Sequence, residues 1–261
     1  MRITVLLENT TTRKDLRAEH GLSLYLEVGD HRILFDAGPS DALTENAEKL
    51  GVDLKTVDVA VLSHGHNDHA DGFLRFREIN PVCKIYVNQF AFRDHYNAHG
   101  KYIGLNKKLK PGEGWILTSG RVSLGEGITV CPGEETAPPA EPSGLRVLTE
   151  DGLKPDDFCH EQYLLVEEGD KRVLISGCSH RGVENIVAAF QPDVLIGGFH
   201  VKDISPDGDG KDRLTTLAER LAGEPTQYYT CHCTGPEQFT LMQAVLGDRL
   251  RYISCGTVLE I

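Results

Sequence analysis

Short apolar runs recur along the whole chain, and glycine, aspartate or proline bounds most of them. Runs rich in valine, isoleucine and leucine with such boundaries are typical of β-strands. The strands predicted in this way are ITVLL at 3–7, LSLYLEV at 22–28, RILFDAG at 32–38, VDVAVLS at 57–63, KIYVN at 84–88, ITVCP at 128–132, QYLLVEE at 162–168, RVLISG at 172–177, DVLIGG at 193–198, QYYTCH at 227–232 and RYISCGTVLEI at 251–261.

Apolar positions at helical spacing predict helices between several of these strands. Ser40 can cap a helix that runs to Leu50 and places Leu43 and Ala47 on one face with it. Further helices are predicted over 68–78, 182–190, 211–222 and 236–246. Proline opens the last of these helices, at a position that a helix start accepts.

Strands come first and then alternate with helices, in both halves of the chain. This order predicts an α/β fold in which two sheets pack together with helices outside them. A chain of 261 residues can bury a sufficient core without disulfides or structural metals. The Pro- and Glu-rich segment GEETAPPAEPSG at 133–144 is interpreted as a loop between two half-domains, so residues 1–261 are predicted to form one domain.

The composition is typical of a globular protein, with 40% apolar and 25% charged residues. No apolar run approaches the ~20 residues that a membrane-spanning helix needs. The first residues, MRITVLLENTTTRK, lack the apolar core and the cleavage site of a signal peptide. We therefore expect a cytoplasmic protein that has no membrane partner.

Charge and cysteine content narrow the functions further. A net charge of -12 disfavours a broad nucleic-acid surface, because such a surface needs an excess of basic residues. The seven cysteines form an odd set that extends from Cys83 to Cys255. In a cytoplasmic protein, such a set predicts reduced thiols that serve as core residues or metal ligands.

The densest group of metal-binding residues lies in the stretch VAVLSHGHNDHADG at 59–72. Alternation at the end of an extended strand points His64 and His66 the same way, toward one metal ion. Asp68 and His69 fall in the first turn of the next helix and point to a neighbouring position. This spacing is typical of two divalent ions ~3.5–4 Å apart that hold a bridging hydroxide. Zinc accepts both imidazole nitrogen and carboxylate oxygen.

The stretch resembles the signature of the metallo-β-lactamase-fold superfamily, whose αββα four-layer sandwich carries its metals at the sheet ends. The resemblance implies a histidine before a later strand, an aspartate or cysteine after the next strand, and a late histidine. His160, Cys178 and His232 fill these positions. A cysteine departs from the aspartate of most hydrolases of this fold, and a thiolate favours zinc. His180 remains an alternative to His160 as a ligand, or a group that faces the substrate.

Other residues near these positions also have expected roles. Asp36 in ILFDAG resembles the structural aspartate of the fold, which hydrogen-bonds to the metal loop from beneath. Cys231 and Cys233 flank His232, and in an extended segment they would point opposite to it, into the core.

Further stretches resemble one subgroup of the superfamily, the dihydropterin–ribofuranosylaminobenzene 5'-phosphate synthases. They are AEHGLSLYLEV at 18–28, GCSHRGVENIV at 177–187, IGGFHV at 196–201 and CHCTG at 231–235. The similarity extends over essentially the whole chain. It implies a transferase of methanopterin biosynthesis, and in a cell without methanopterin a different substrate.

Candidates for substrate contact lie outside the metal motif. Glu19 and His20 precede the second strand, in a loop that edges the metal cleft of the resembled fold. Arg181 opens a helix whose N-terminal amides can hold an anion. His200 follows LIGGF and can contact a substrate phosphate or protonate a leaving group.

A basic insertion at 89–114 interrupts the otherwise acidic chain. Its cations are Arg93, Lys101, Lys107, Lys108 and Lys110. A solvated surface loop and a lid over an anionic substrate are both compatible with this pattern.

The leading hypothesis is a hydrolase in which a hydroxide bound to two divalent ions, expected to be zinc, attacks a phosphate-bearing or other anionic small molecule. In this hypothesis, Asp68 also accepts a proton, and His180 and His200 act on the substrate. The first ion is assigned to His64, His66 and His160, and the second to Asp68, His69 and His232, with Cys178 near or between them. The alternatives are a transferase of the synthase type and a sensor that binds metal or ligand without catalysis.

Overall fold

The computed structural model describes residues 1–112, 114–139 and 143–261. The strands are β1 (Arg2–Leu7), β2 (Ser23–Val28), β3 (His31–Phe35), β4 (Val59–Leu62), β5 (Lys84–Asn88), β6 (His95–Tyr96), β7 (Trp115–Thr118), β8 (Val122–Gly125), β9 (Ile128–Pro132), β10 (Arg146–Thr149), β11 (Gly152–Pro155), β12 (Gln162–Glu168), β13 (Lys171–Gly177), β14 (Val194–Gly197), β15 (Gln227–Thr230), β16 (Leu250–Tyr252) and β17 (Val258–Glu260). The α-helices are α1 (Ala42–Lys49), α2 (Asn67–Ala70), α3 (Phe73–Ile79), α4 (Val183–Phe190), α5 (Gly208–Ala222) and α6 (Pro236–Leu246). Short 3-10 turns lie at Leu54–Thr56, Gly133–Glu135, His232–Thr234 and Gly247–Arg249.

Two large mixed sheets contain most of these strands. The first has the strand order β17-β1-β2-β3-β4-β5-β7, and the second has the order β16-β15-β14-β13-β12-β9-β8. In each sheet one half is antiparallel and the other half is parallel, from β3 to β7 and from β13 to β16. A small third sheet, β11-β10-β6, joins the 89–114 segment to the strands that follow residue 145.

The two large sheets pack face to face, and helices cover their outer faces. Along β1, Ile3 and Val5 lie in the core between the sheets, while Leu6 packs with α1 and α3. Along β13, Ile175 lies in the same inter-sheet core and Leu174 packs with α4 and α5. Because both faces are buried, these strands consist of continuous apolar runs. The predicted αββα four-layer architecture is confirmed.

The loops that follow β3, β4, β13, β14 and β15 meet at one edge of the sandwich, where their side chains contact one another. Four non-glycine residues in these loops have positive φ: Asp36 (59°), Ser179 (57°), His200 (51°) and His232 (50°). Such conformations are uncommon away from glycine and concentrate at functional sites. This edge therefore carries the candidate functional residues of the protein.

The predicted helices form, with one difference. The helix expected over 68–78 is divided into α2 and α3, with Gly72 at the break. A Cβ atom on Gly72 would overlap with the carbonyl oxygen of Ala37. The absence of a side chain at Gly72 thus lets the metal-motif segment lie against the loop after β3.

Several short strands were not predicted, namely β6, β7, β8, β10 and β11. Each has two to four residues, and β8, β10 and β11 are largely half-buried or exposed. Such strands lack the long apolar runs on which the prediction relied. Of the 133–144 loop, residues 140–142 lie outside the described residues. No helix in the described ranges is long and apolar enough to cross a membrane.

Candidate metal centre

The metal-motif loop leaves β4 at Ser63 and is fixed from beneath by Asp36. This carboxylate is fully buried. Its Oδ1 accepts a hydrogen bond from the Ser63 backbone N–H, and its Oδ2 accepts one from the Ser63 hydroxyl, both at 2.7 Å. The same Oδ2 lies 2.6 Å from Nδ1 of His69. Asp36 thus orients both ends of the motif, as the resemblance implied.

One group of donor atoms comprises His64, Cys178 and His180. Nε2 of His64 and Nε2 of His180 lie 3.3 Å apart, and the three donor atoms all lie within 4.8 Å of one another. The Ser63 hydroxyl donates to Asp36, so its oxygen accepts from Nδ1 of His64 at 2.8 Å. That hydrogen bond leaves Nε2 of His64 unprotonated and directed at His180.

A second group comprises His69, Cys178 and His232. Nε2 of His69 lies 3.2 Å from Nε2 of His232 and 3.2 Å from Sγ of Cys178. Nδ1 of His232 donates to Oδ1 of Asn9 at 2.8 Å, and that oxygen also accepts from the Gly21 N–H. Cys178 therefore belongs to both groups and lies between them.

The donor spacing in both groups fits divalent metal ions. Two imidazole nitrogens bound ~2.0–2.1 Å from a tetrahedral ion lie about 3.3 Å from each other. The two Nε2 pairs lie 3.3 and 3.2 Å apart. For His69 and His232, the Nδ1 proton is already donated to an oxygen, so the two facing nitrogens need a cation between them. Buried nitrogen and sulfur donors of this kind are typical zinc ligands.

Asp68 lies at the rim of the second group. Its Oδ2 lies 3.4 Å from Nε2 of His232, 3.9 Å from Nε2 of His69 and 3.3 Å from Nε2 of His20. Although burial raises the pKa of Asp68, these histidines lower it well below its usual range. Asp68 is therefore an ionised carboxylate at the opening of the site.

His66 and His160 belong to neither of these two donor groups. The His66 ring packs near His64 and His180, with ring centroids 4.6 and 4.8 Å away, and it lines the cleft. Nδ1 of His160 accepts a hydrogen bond from the Gly65 N–H at 2.9 Å, which places the proton of a neutral ring on Nε2. His180 rather than His160 thus lies beside His64, because the Gly65 hydrogen bond turns His160 away.

Burial sets the protonation of the remaining donors. It lowers the pKa of His64, His66 and His180 well below the usual value, and neighbouring histidines lower it further. These rings are therefore neutral, as metal ligands must be. Burial raises the pKa of the Cys178 thiol, and a bound divalent cation would reverse that shift.

A cleft of about 370 Å³ opens onto these groups. Lysine, histidine and amide side chains line it together with the donor residues, among them His20, Asn67, Asn97, Lys101 and Lys202. Nζ of Lys202 lies 3.2 Å from Nε2 of His20, so the two face the same part of the opening. Positive groups at the mouth of an acidic protein attract anionic ligands.

The predicted substrate residues divide into two sets. His20 and His200 line the cleft. Glu19 instead accepts hydrogen bonds from Arg17 and Ser40, away from the lining. Arg181 is not available for its expected role, because its backbone N–H already donates to the Glu161 carboxylate at 3.1 Å. Its buried guanidinium donates to Thr136 and to backbone oxygens.

The cations of the 89–114 segment are similarly divided. Lys101 lines the cleft. Lys107 pairs with Asp94, and the Arg93 guanidinium lies 4.1 Å from the centre of the Phe90 ring. Lys108 and Lys110 are exposed. Among the five cations, only Lys101 borders the cleft. Arg93 also contacts Cys159, outside the segment.

Cys233 is a site residue that sequence reasoning missed. The chain after β15 turns into the 3-10 segment His232–Thr234, so strand alternation no longer applies there. Cys231 lies in the inter-sheet core as expected. Sγ of Cys233 instead lies 3.4 Å from the Cys178 carbonyl oxygen and accepts from the His200 N–H at 3.3 Å. The site thus has a third group of donor atoms next to Cys178, formed by Cys178, His200 and Cys233.

The chain is similar to known proteins over most of its length. A family model described as the metallo-beta-lactamase superfamily matches residues 16–222. The 7,8-dihydropterin-6-methyl-4-(beta-D-ribofuranosyl)-aminobenzene-5'-phosphate synthase of Methanocaldococcus jannaschii is 28% identical over 269 residues, which cover 93% of this chain and 90% of the relative. An uncharacterized protein of the same organism is 28% identical over 249 residues, which cover 91% and 92%. Among solved structures, Tm1679, a metal-dependent hydrolase of the beta-lactamase superfamily, matches with a TM-score of 0.83 at 26% identity, over 100% of this chain and 99% of that one.

Proposed function

Because the chain belongs to the metallo-β-lactamase superfamily, we propose that it is a metal-dependent hydrolase of a phosphate-bearing or other anionic small molecule. The observation that carries the proposal is Cys178, whose thiol lies between two histidine pairs that each have the spacing of metal ligands. The basic mouth of the cleft supports an anionic substrate.

In this proposal, His64, His66 and His180 hold one divalent ion, and Asp68, His69 and His232 hold a second, with Cys178 between them. When bound, two such ions would supply an activated water and would stabilise the charge that develops on the substrate. The nitrogen- and sulfur-rich donor set favours zinc over magnesium or calcium.

The other residues of the cleft have proposed roles of their own. Asp68 is ionised and reaches the opening, so it can accept a proton from the nucleophile. Lys202, His20 and Lys101 can hold the anionic part of the substrate. His200 lines the cleft beside His180, with ring centroids 4.1 Å apart, and can protonate a leaving group.

A transferase is the second candidate, and the name of one relative favours it. The synthase of Methanocaldococcus jannaschii covers nearly the whole chain at 28% identity. In a transferase, the same ligands would position a leaving group, and the acceptor would be a second substrate instead of water. The His20 and Lys202 side of the cleft would then contact the phosphate-bearing partner.

The seven cysteines are unpaired and buried, which supports a reducing compartment such as the cytoplasm. In that compartment Cys178 and Cys233 would stay available as thiols.

The deciding experiment measures metal content and turnover on the same preparation. Elemental analysis should find close to two zinc ions per chain. Hydrolysis of bis(4-nitrophenyl) phosphate and 4-nitrophenyl phosphate should require those ions and should incorporate 18O from labelled water into the product. Turnover that persists after complete removal of metal would overturn the proposal.

The same experiment distinguishes the alternatives. Product that contains no solvent oxygen but forms with an added pterin or amine acceptor would indicate the transferase. Stoichiometric metal with tight binding of a phosphate compound and no turnover would indicate a sensor.

A further inference from the structure

We propose that Asp156, held by His95 and His160, is a positioning residue that fixes the ring orientation and the tautomer of His66. The inference rests on the proposed function, because it assigns to His66 a metal-facing nitrogen. It concerns a group of buried residues behind the metal loop, on the side of His66 that faces away from the cleft.

The four side chains form one buried group. His66, His95, Asp156 and His160 have less than a tenth of their surface exposed. One donor atom from each lies within 4.8 Å of the other three. Ring centroids lie 5.5 Å apart for His66 and His95, 5.3 Å for His66 and His160, and 4.1 Å for His95 and His160.

Hydrogen bonds determine where the protons of this group lie. Nδ1 of His95 lies 2.8 Å from Oδ2 of Asp156, and a carboxylate can only accept, so His95 donates. His160 accepts from the Gly65 N–H through Nδ1, so its own proton is on Nε2, 3.3 Å from the same oxygen. Although burial raises the pKa of Asp156, its contacts with His160 and His95 lower it more. Asp156 is therefore an ionised carboxylate that accepts a hydrogen bond from His95 and lies 3.3 Å from Nε2 of His160.

His66 completes the group. Its Nε2 is buried and has no hydrogen-bond partner among the residues that the structure describes. A carboxylate charge on that side favours a proton on Nε2, which leaves Nδ1 as the unprotonated nitrogen available to the cleft. Asp36 acts on His69 in a similar way, since its Oδ2 accepts the proton of Nδ1 and leaves Nε2 for metal. Two histidines of the metal motif thus each have a buried aspartate behind them.

A metal ion within this group is disfavoured. His160 uses its unprotonated nitrogen to accept from Gly65, so its Nε2 carries a proton and has no lone pair to offer. His95 donates its Nδ1 proton to the carboxylate and keeps a lone pair on Nε2. With Nε2 of His66 and of His160 protonated, the group offers an ion only this one imidazole nitrogen and one carboxylate. The group therefore supports His66 instead of forming a further metal site.

This arrangement gives the 89–114 segment a structural role at the metal centre. His95 lies on β6, which pairs with β10 through Val147. Asp156 follows β11, in the same small sheet. The small sheet thus places both His95 and Asp156 next to His66.

The test compares Asp156→Asn with Asp94→Asn in the zinc-loaded protein. Asp94 lies in the same segment and pairs with Lys107, outside the buried group, so it serves as the matched control. Zinc affinity is measured by competition with a chromophoric chelator. Asp156→Asn should weaken binding of one of the two ions about 10–100-fold, and Asp94→Asn should leave both affinities unchanged. The cobalt-substituted Asp156→Asn protein should also show altered d–d bands, and the cobalt-substituted Asp94→Asn protein should keep the wild-type bands.

A second measurement determines the tautomer of His66 in the wild-type protein. In 15N-histidine-labelled wild-type protein, with the His66 signals identified by their loss in His66→Gln, His66 should have the Nε2–H tautomer. An Nδ1–H tautomer, or unchanged zinc affinity in Asp156→Asn, would overturn the inference while leaving the metal centre intact. If the wild-type protein binds no zinc, the proposed function fails, and the tautomer of His66 still decides whether Asp156 orients it.

Discussion

Nε2 of His69 and Nε2 of His232 face each other at 3.2 Å, although each ring has already donated its Nδ1 proton. Asp36 accepts one of these protons and Asn9 the other. Burial lowers the pKa of His69, but Asp36 and Asp68 outweigh it and raise that pKa to about 9. In the absence of metal a shared proton therefore fills the gap, and a metal ion must displace it.

This relationship predicts that metal removal lowers the stability of the protein. A ligand present at ~100 times its dissociation constant stabilises the folded state by about 2.7 kcal/mol. For a chain of this size, such a change lowers Tm by about 5–10 °C. Thermal unfolding with a chelator, and again after zinc is restored, measures the effect. An unchanged Tm in protein shown to have lost its metal would contradict the prediction.

Removal of the shared thiol should affect metal content more than removal of another buried thiol. Cys178→Ala takes a donor from both groups, so bound zinc should fall by one ion per chain or more. Cys83→Ala is the control, because Cys83 packs against the helices of the first sheet. Elemental analysis after gel filtration compares the two variants. Equal zinc content in both would remove Cys178 from the ligand set.

Substitution of His180 and substitution of His160 should have different effects on zinc binding. His180→Ala removes the partner of His64, so one ion should be lost even at saturating zinc. His160→Ala should retain two ions and bind one of them more weakly, because His160 acts through Gly65 and Asp156. Zinc titrations of both variants measure stoichiometry and affinity separately. The reverse pattern would restore the assignment made from the sequence.

The basic mouth of the cleft predicts a selective effect on substrate binding. Lys202→Ala should raise KM for an anionic phosphodiester about 10-fold and change kcat little. Lys202 lies near His20 at the opening of the cleft and is not one of the proposed metal ligands. Lys211→Ala, an exposed change on α5, is the control. Steady-state kinetics at two salt concentrations measure the effect, which should shrink at high salt. A fall in kcat without a change in KM would argue against this role.

Gly65 links the two ligand histidines of the motif, and its substitution should destabilise the fold. A Cβ atom there would overlap with the carbonyl oxygen of Ala91, whereas a Cβ on Gly112 meets open space. Gly65→Ala should therefore lower the free energy of unfolding by about 2–4 kcal/mol, and Gly112→Ala by less than about 0.5 kcal/mol. Urea denaturation of the two variants provides the comparison. Similar stabilities would show that the 89–114 segment can move away from the motif.

The sequence by itself determined the features that are local in the chain. Strands buried on both faces appear as continuous apolar runs, so most strands and the layered fold were predictable. The motif H-x-H-x-D-H places His64, His66, Asp68 and His69 within six residues, and so a metal site was evident without knowledge of distant contacts.

The tertiary structure decided which distant residues complete the site. The Gly65 N–H turns His160 away from His64, and a 3-10 turn reverses the direction of Cys233 relative to strand alternation. The same packing buries Arg181 against Thr136 and brings Asp156 behind His66. Each of these outcomes depends on a hydrogen bond or a turn between elements far apart in sequence, and the periodicity of a single element contains no information about such contacts.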